Sequence, residues 1–233
     1  SEILRSYLPK SCIGIRYDLA WQSHWDKPEN YNESNTWEGP PDRKYQEFRL
    51  NYNTNNWNLK RANSDILPAH TVYLDLIPDE QTLLARMKPK TRYNIHLAAR
   101  KGVTVRRAGM EELPLWYKLY SDTAQRNGIF LNDIEYFKSV LAAKADDTLS
   151  PATVELLLAE KDGEALAAIF LVLSGNRGTY LYGASSSQHR NCMPTYALQW
   201  EAIRIAKASG CTEYDMFGVS PGPEPSHPMY GLY

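Results

Sequence analysis

Between Val154 and Tyr182 the chain carries three apolar runs joined by two short turn signals, and no other stretch restricts its fold as tightly. Val154 to Ala159 and Ala165 to Leu173 flank Lys161-Asp162-Gly163-Glu164. An Asp-Gly pair between apolar runs favours a hairpin, because both residues tolerate the left-handed backbone of a tight turn. Gly175-Asn176-Arg177-Gly178 makes the next turn, into Thr179 to Tyr182. The pattern predicts a three-stranded antiparallel meander. The polar loop ASSSQHRNC then leads to a helix with Pro194 in its first turn and Gly210 as its stop, whose buried side is Leu198, Ala202, Ile205 and Ala206. Glu213 to Phe217 forms a last strand.

Upstream, the period is mostly helical. Thr71 to Leu76 alternates like a strand, and Pro78-Asp79-Glu80 starts a helix that runs to about Met87. Thr91 caps a helix over Arg92 to Lys101 that Gly102 ends, and Val103 to Arg106 reads as a strand. Leu113, Trp116, Tyr117, Tyr120 and Ala124 fall on one face of an amphipathic helix closed by Asn127-Gly128. Another helix runs from Ile134 to about Lys144, capped by Asn132 or Asp133. Near the start, Ile3, Leu4, Tyr7 and Leu8 mark an amphipathic helix, and Ser11 to Tyr17 reads as a buried strand with Asp18 at its end. From Trp21 to Pro68 no period is sustained, which marks a functional segment or an interdomain connection.

Composition narrows the class. With 43% hydrophobic residues and a net charge of only -1, the chain has ample core and is not a basic protein. Cys12, Cys192 and Cys211 are odd in number and far apart, which argues against a disulfide framework or zinc site and favours a reducing, cytoplasmic setting. No apolar run approaches the ~18 residues of a membrane span. The missing initial methionine and the apolar close, Met229 to Tyr233, read as the ends of a fragment.

Charge is nonetheless concentrated. From Arg86 to Arg107 the chain holds Arg86, Lys88, Lys90, Arg92, Arg100, Lys101, Arg106 and Arg107 and no acid. Arg92, His96 and Arg100, at i, i+4 and i+8, share a helix face. Such a face suits the phosphates of a nucleotide, a lipid carrier or an RNA, or it is a solvated surface helix.

The order of helices, antiparallel meander, helix and strand resembles the GNAT-type N-acyltransferase fold, a mixed α/β (α+β) class. Acetyl-CoA-using members of that fold carry an Arg/Gln-x-x-Gly-x-Gly/Ala loop before the helix. Here the junction reads Gln188-His189-Arg190-Asn191-Cys192-Met193-Pro194, without glycine, so an acyl-CoA donor is disfavoured.

Several segments together resemble the FemABX peptidyltransferases. They are MKPKTRYNIHLAARKGV (Met87 to Val103), YLYGASSSQHRNCMPTYALQWEAIRIAKASGCTEYDMFGV (Tyr180 to Val219), the closing Gly231 to Tyr233, and SCIGIRYDLAW (Ser11 to Trp21). The likeness is to the compact branch without a coiled-coil arm, since Thr123 to Val154 has room for one ordinary helix. It implies tandem GNAT-like domains, with residues 1–68 the tail of an incomplete first domain plus an irregular connection, and residues 69–233 the second domain. The implied activity is transfer of an amino acid from aminoacyl-tRNA to the side-chain amine of the third residue of a peptidoglycan stem peptide. The implied partners are aminoacyl-tRNA, a UDP-linked or lipid-linked muropeptide and the inner membrane surface, with no DNA and no cofactor.

The resemblance also carries residues. Asp18 matches a carboxylate near the acceptor amine, or it is a turn residue at a strand end. Tyr180 and Tyr182, placed by period two on one face of the central strand, border the acceptor pocket or form a half-buried pair. Arg190 precedes a helix N-terminus, where a phosphate contact competes with a plain surface role. Arg126 matches an arginine common at that helix end. Lys88, Lys90, Arg92, His96, Arg100 and Lys101 form the tRNA or phosphate face. The family's lysine that follows the GLY-type motif lies past Tyr233, so the chain alone is expected to be weak or inactive. Other readings are an N-acyltransferase with a different acyl donor, and a non-catalytic protein that binds RNA or muropeptide.

Overall fold

A computed structural model describes residues 6–15, 68, 70–145 and 152–220. The chain divides into two compact units, Ser1–Ala69 and His70–Tyr233. In the first, the described residues 11–15 form no strand and are exposed, against the buried strand expected from Ser11. A short apolar run becomes a strand only against a pairing neighbour. Residues 6–10 form turns and a bend rather than the helix expected there, and the Cys12 amide donates to the Pro9 carbonyl at 2.9 Å.

The second unit is built on one sheet. Its strands are β1 (Tyr73–Asp75), β2 (Thr104–Ala108), β3 (Lys144–Ala145), β4 (Ala152–Lys161), β5 (Glu164–Ser174), β6 (Arg177–Ser185) and β7 (Glu213–Asp215). They lie in the order β1-β7-β6-β5-β4-β2, with β3 on β4. The meander β4-β5-β6 is antiparallel because its connections are two-residue turns. Asp162 and Gly163 have φ of 52° and 81°, the double left-handed turn that matches strand twist, and Lys161 pairs with Glu164. Gly175, at φ 55°, opens the second turn. β6 and β7 are instead parallel, since a helix crosses between them. The mixed α/β class and the order of helices, antiparallel meander, helix and strand are present here.

The helices are α1 (Glu80–Arg86), α2 (Pro89–Arg100), α3 (Leu113–Asn127), α4 (Ile134–Leu141) and α5 (Pro194–Ala208). Alternate residues of β4 and β5 serve opposite faces. Leu157, Ala159, Ala167, Ile169 and Leu171 pack with Leu198, Ala202 and Ala206 of α5 and with Leu83 and Ala98 of α1 and α2. Leu156, Leu158, Ala168 and Phe170 pack with Leu113, Trp116, Leu119 and Tyr120 of α3 and with Phe137 of α4. Burial on both faces is why β5 is an almost unbroken apolar run. Small residues bring α5 close: a β-carbon at Gly178 would lie 2.6 Å from that of Ala206.

Local signals set the helix ends, with two corrections. α1 is capped by Asp79, which accepts from the Thr82 amide at 2.7 Å, and α4 by Asp133, which accepts from the Tyr136 amide at 2.8 Å. α2 starts at Pro89, not after Thr91. Proline at the first helical position needs no amide partner and has a preset φ, so Thr91 lies inside the helix. Past its other end, Gly102 (φ 79°) donates to Ala99 and Val103 donates to Ala98, a paired closure that frees the chain into β2. α4 stops at Leu141 rather than Lys144, because Lys144 pairs with Thr153 at the sheet edge.

Candidate functional site

β6 pairs with β7 only from Arg177 to Thr179, while its pairing with β5 continues to Ser185. The last residues of β6 therefore have β5 on one side and, among the described strands, no partner on the other. A cavity of about 200 Å³ opens there. Thr123 and Arg126 of α3, Tyr180, Gly183 and Ser185 of β6, and Thr195, Leu198 and Gln199 of α5 line it.

Polar groups hold its rim. Arg126 donates to the Ser185 carbonyl at 3.1 Å and to its hydroxyl at 3.2 Å. The Ser185 amide donates to Thr123 Oγ1 at 3.0 Å, and that hydroxyl donates to the Leu119 carbonyl at 2.8 Å. The end of β6 is thus tied to the end of α3. Across the cavity, buried Tyr214 donates to Gln199 Oε1 at 2.9 Å and holds that amide from behind. Burial raises the phenol pKa of Tyr214 well above the ordinary range. Burial also pushes the phenol of Tyr180 up to about 12, so it stays a neutral hydrogen-bond donor at physiological pH. A β-carbon at Gly183 would lie 1.8 Å from Tyr180 Oη, so the phenol rests directly on that glycine.

Tyr182 does not share this face. Phe170 pairs with Tyr182 and Leu171 with Tyr180, leaving Leu181 as an extra residue in β6. The bulge breaks the period of two. Tyr180 packs with the α5 side of the sheet, while Leu181 and Tyr182 pack with the α3–α4 side. There Tyr182 lies edge-on to Phe137 at 5.4 Å, and its hydroxyl is 2.8 Å from that of Tyr136. Burial and that hydroxyl contact raise its pKa.

Arg190 lies apart from the cavity lining. It is exposed in a 3-10 turn, Arg190–Cys192, between His189 (φ 53°) and Met193 (φ 54°). Two non-glycine residues in the left-handed region thus flank the turn that leads into α5. Asp18, the region from Trp21 to Asp65 and the closing Gly231 to Tyr233 lie outside the described residues.

The basic stretch separates into two populations. Arg106 pairs with Glu112 and Glu160, Arg107 with Glu155 at 2.6 Å, and Arg86 with Asp75 at 3.8 Å. Arg92, expected beside His96 and Arg100, turns back to donate to the Ala85 carbonyl at 3.0 Å and to that of Met87, closing the end of α1. Lys88, Lys90, His96, Arg100 and Lys101 are exposed. No ion pair joins them to another described residue.

Among the described residues, no group of three or more His, Cys, Asp or Glu could hold a metal ion, and no helix is long and apolar enough to cross a membrane. The residues that sequence reasoning missed are Thr123, Gly183, Ser185 and Gln199. Thr123 alone had a signal, one turn beyond Tyr120 on the buried face of its helix.

A sequence model of the FemAB family matches residues 50–156 and 144–233. Among curated proteins, the chain is 25% identical to a lipid II:glycine glycyltransferase of Staphylococcus epidermidis, covering 72% of this chain and 54% of that protein. It is 23% identical to the lipid II:glycine glycyltransferase of Staphylococcus aureus, covering 72% of this chain and 55% of the relative. The chain thus spans about half the length of these relatives. The crystal structure of FemX superposes with a TM-score of 0.65 at 22% identity, over 74% of this chain and 59% of FemX. That match is one of fold.

Proposed function

The chain belongs to the FemAB family, and we propose on that premise that it is part of an aminoacyl-tRNA-dependent peptidyltransferase of peptidoglycan synthesis. The enzyme adds an amino acid to the side-chain amine of the third residue of a stem peptide. We take the acceptor to be lipid-linked, as the names of the glycyltransferase relatives suggest for those proteins. One observation carries the reading: in a chain of this family, the end of β6 that runs past its pairing with β7 borders a cavity walled by a neutral phenol and a guanidinium, Tyr180 and Arg126.

The chemistry is aminolysis of an ester. The amine nitrogen bonds to the ester carbonyl carbon, the bond from that carbon to the ribose oxygen breaks, and one amine proton ends on the ribose hydroxyl. Because the ester is already activated, positioning and stabilisation of the developing oxyanion supply most of the acceleration. Tyr180 suits the second task, since a phenol with a raised pKa donates without ionising. Arg126 and Thr123 keep the end of β6, and with it the cavity rim, in register. Asp18 is proposed near the acceptor amine, Tyr182 and Arg190 at the acceptor, and the exposed cations on and beside α2 on tRNA phosphates.

The test is transfer of labelled amino acids from a charged tRNA mixture to UDP-linked and lipid-linked muropeptides by the full-length protein that contains this chain. A labelled product that RNase abolishes, formed on the lipid-linked acceptor and mapped to the third residue of the stem, is the expected result. Folded protein that gives no product with either acceptor refutes it.

A further inference from the structure

The outward face of α2 is not only cationic. Asn94, Ile95 and Ala98 are buried, which turns Lys90, Tyr93, His96 and Arg100 outward at i, i+3, i+6 and i+10. Tyr93 is 57% exposed, and the Arg100 guanidinium lies over its ring, 5.6 Å from the centroid. That contact sets a guanidinium against the ring while more than half of the side chain stays exposed. The helix has no acid, and Lys88, Lys90, Arg100 and Lys101 are free of ion pairs with other described residues, whereas neighbouring Arg106 and Arg107 are not. A large aromatic ring left in water among cations that pair with no described residue is poorly explained by solubility alone.

We propose that Tyr93 and Arg100 form a stacking platform for an unpaired nucleotide of an RNA strand, with Lys90, Arg100 and Lys101 on the adjoining phosphates. A base stacks on an aromatic face whatever its identity, while a duplex keeps its bases inside and offers phosphates only. The platform therefore recognises a single-stranded end, and phosphate contacts alone would not make that distinction. The inference rests on the tRNA-donor reading and deepens it: the segment held is the unpaired 3′ end rather than the helical stem.

The experiment compares the full-length protein with its Tyr93→Ala, Tyr93→Phe and Arg100→Gln variants. The probes are a short RNA ending in unpaired CCA, a blunt RNA duplex and vesicles of anionic phospholipid. Tyr93→Ala should weaken the single strand about tenfold, as loss of one base stack does, and leave the duplex unchanged; Tyr93→Phe should bind like the parent. Arg100→Gln should lower the salt slope for the single strand by about 0.7. Equal effects of Tyr93→Ala on both RNAs, no effect on either, or a loss confined to the vesicles would overturn the platform. Amino acid transfer, measured on the same preparations, separates the two ideas. A parent that binds the single strand through Tyr93 but transfers nothing keeps the platform and removes the transferase. A parent that transfers, with Tyr93→Ala equal to it in both assays, does the reverse.

Discussion

Tyr180 and Gly183 share one point in space: the phenol oxygen of the first occupies the place where the second would carry a β-carbon, 1.8 Å away. The glycine is needed there for room, since its φ lies outside the left-handed region. Gly183→Ala should cost about 1–3 kcal/mol of stability by urea denaturation, as overpacking does. In a Tyr180→Ala background the same change should cost little. Equal costs in both backgrounds would show that the two residues are not coupled.

Arg126 holds the end of β6 through Ser185. Arg126→Met keeps much of the apolar stem and removes the donors. It should lower stability by only about 1 kcal/mol. Transfer by the full-length enzyme should fall about tenfold to a hundredfold, because a cavity rim released by a fraction of an ångström misplaces the reacting groups. A transfer rate equal to that of the parent would remove Arg126 from the site.

Arg92 and Arg100 sit eight residues apart on α2, yet their expected phenotypes differ. Arg92 donates to the carbonyls of Ala85 and Met87. Arg92→Ala should cost about 1 kcal/mol of stability and leave the salt dependence of RNA binding unchanged. Arg100→Ala should do the opposite. Exchanged results would return Arg92 to the phosphate face.

The carboxyl of Glu112 is held below its ordinary value of 4.5, chiefly by its hydrogen bond to Arg106. A group depressed in the folded state stabilises fully above its unfolded pKa and loses that contribution as pH falls through the folded one. Urea midpoints of the parent should therefore hold down to about pH 5 and then decline. Arg106→Gln should lower the midpoint at neutral pH and flatten that decline. A decline equally steep in the variant would assign it to other carboxylates.

The sequence made most of the second unit legible because its signals are local. Asp162-Gly163 announces its turn through backbone conformation, Pro194 and Gly210 bracket α5, and the spacing of Leu113, Trp116 and Tyr120 names the buried face of α3. The features that escaped depend on neighbours distant in the chain. The extra residue Leu181 in β6 is set by pairing with β5, and without it Tyr182 would face α5 beside Tyr180. Arg92 reads as part of a cationic stripe until α1 is placed beside it. Thr123, Gly183 and Gln199 become one site only when β6 outruns β7.

The register of the sheet also dictates an order of assembly. Lys161 meets Glu164 across a two-residue turn, but Tyr73 meets Asp215 from the far side of nearly every other element. Closing so long a loop is entropically slow, whereas the hairpins close on their own. β1 should then join last, and slow amide exchange should reach the β4-β5-β6 hairpins before β1 during refolding. Substitutions in β1 would speed unfolding and hardly touch the folding rate, leaving the cavity end of β6 to form early.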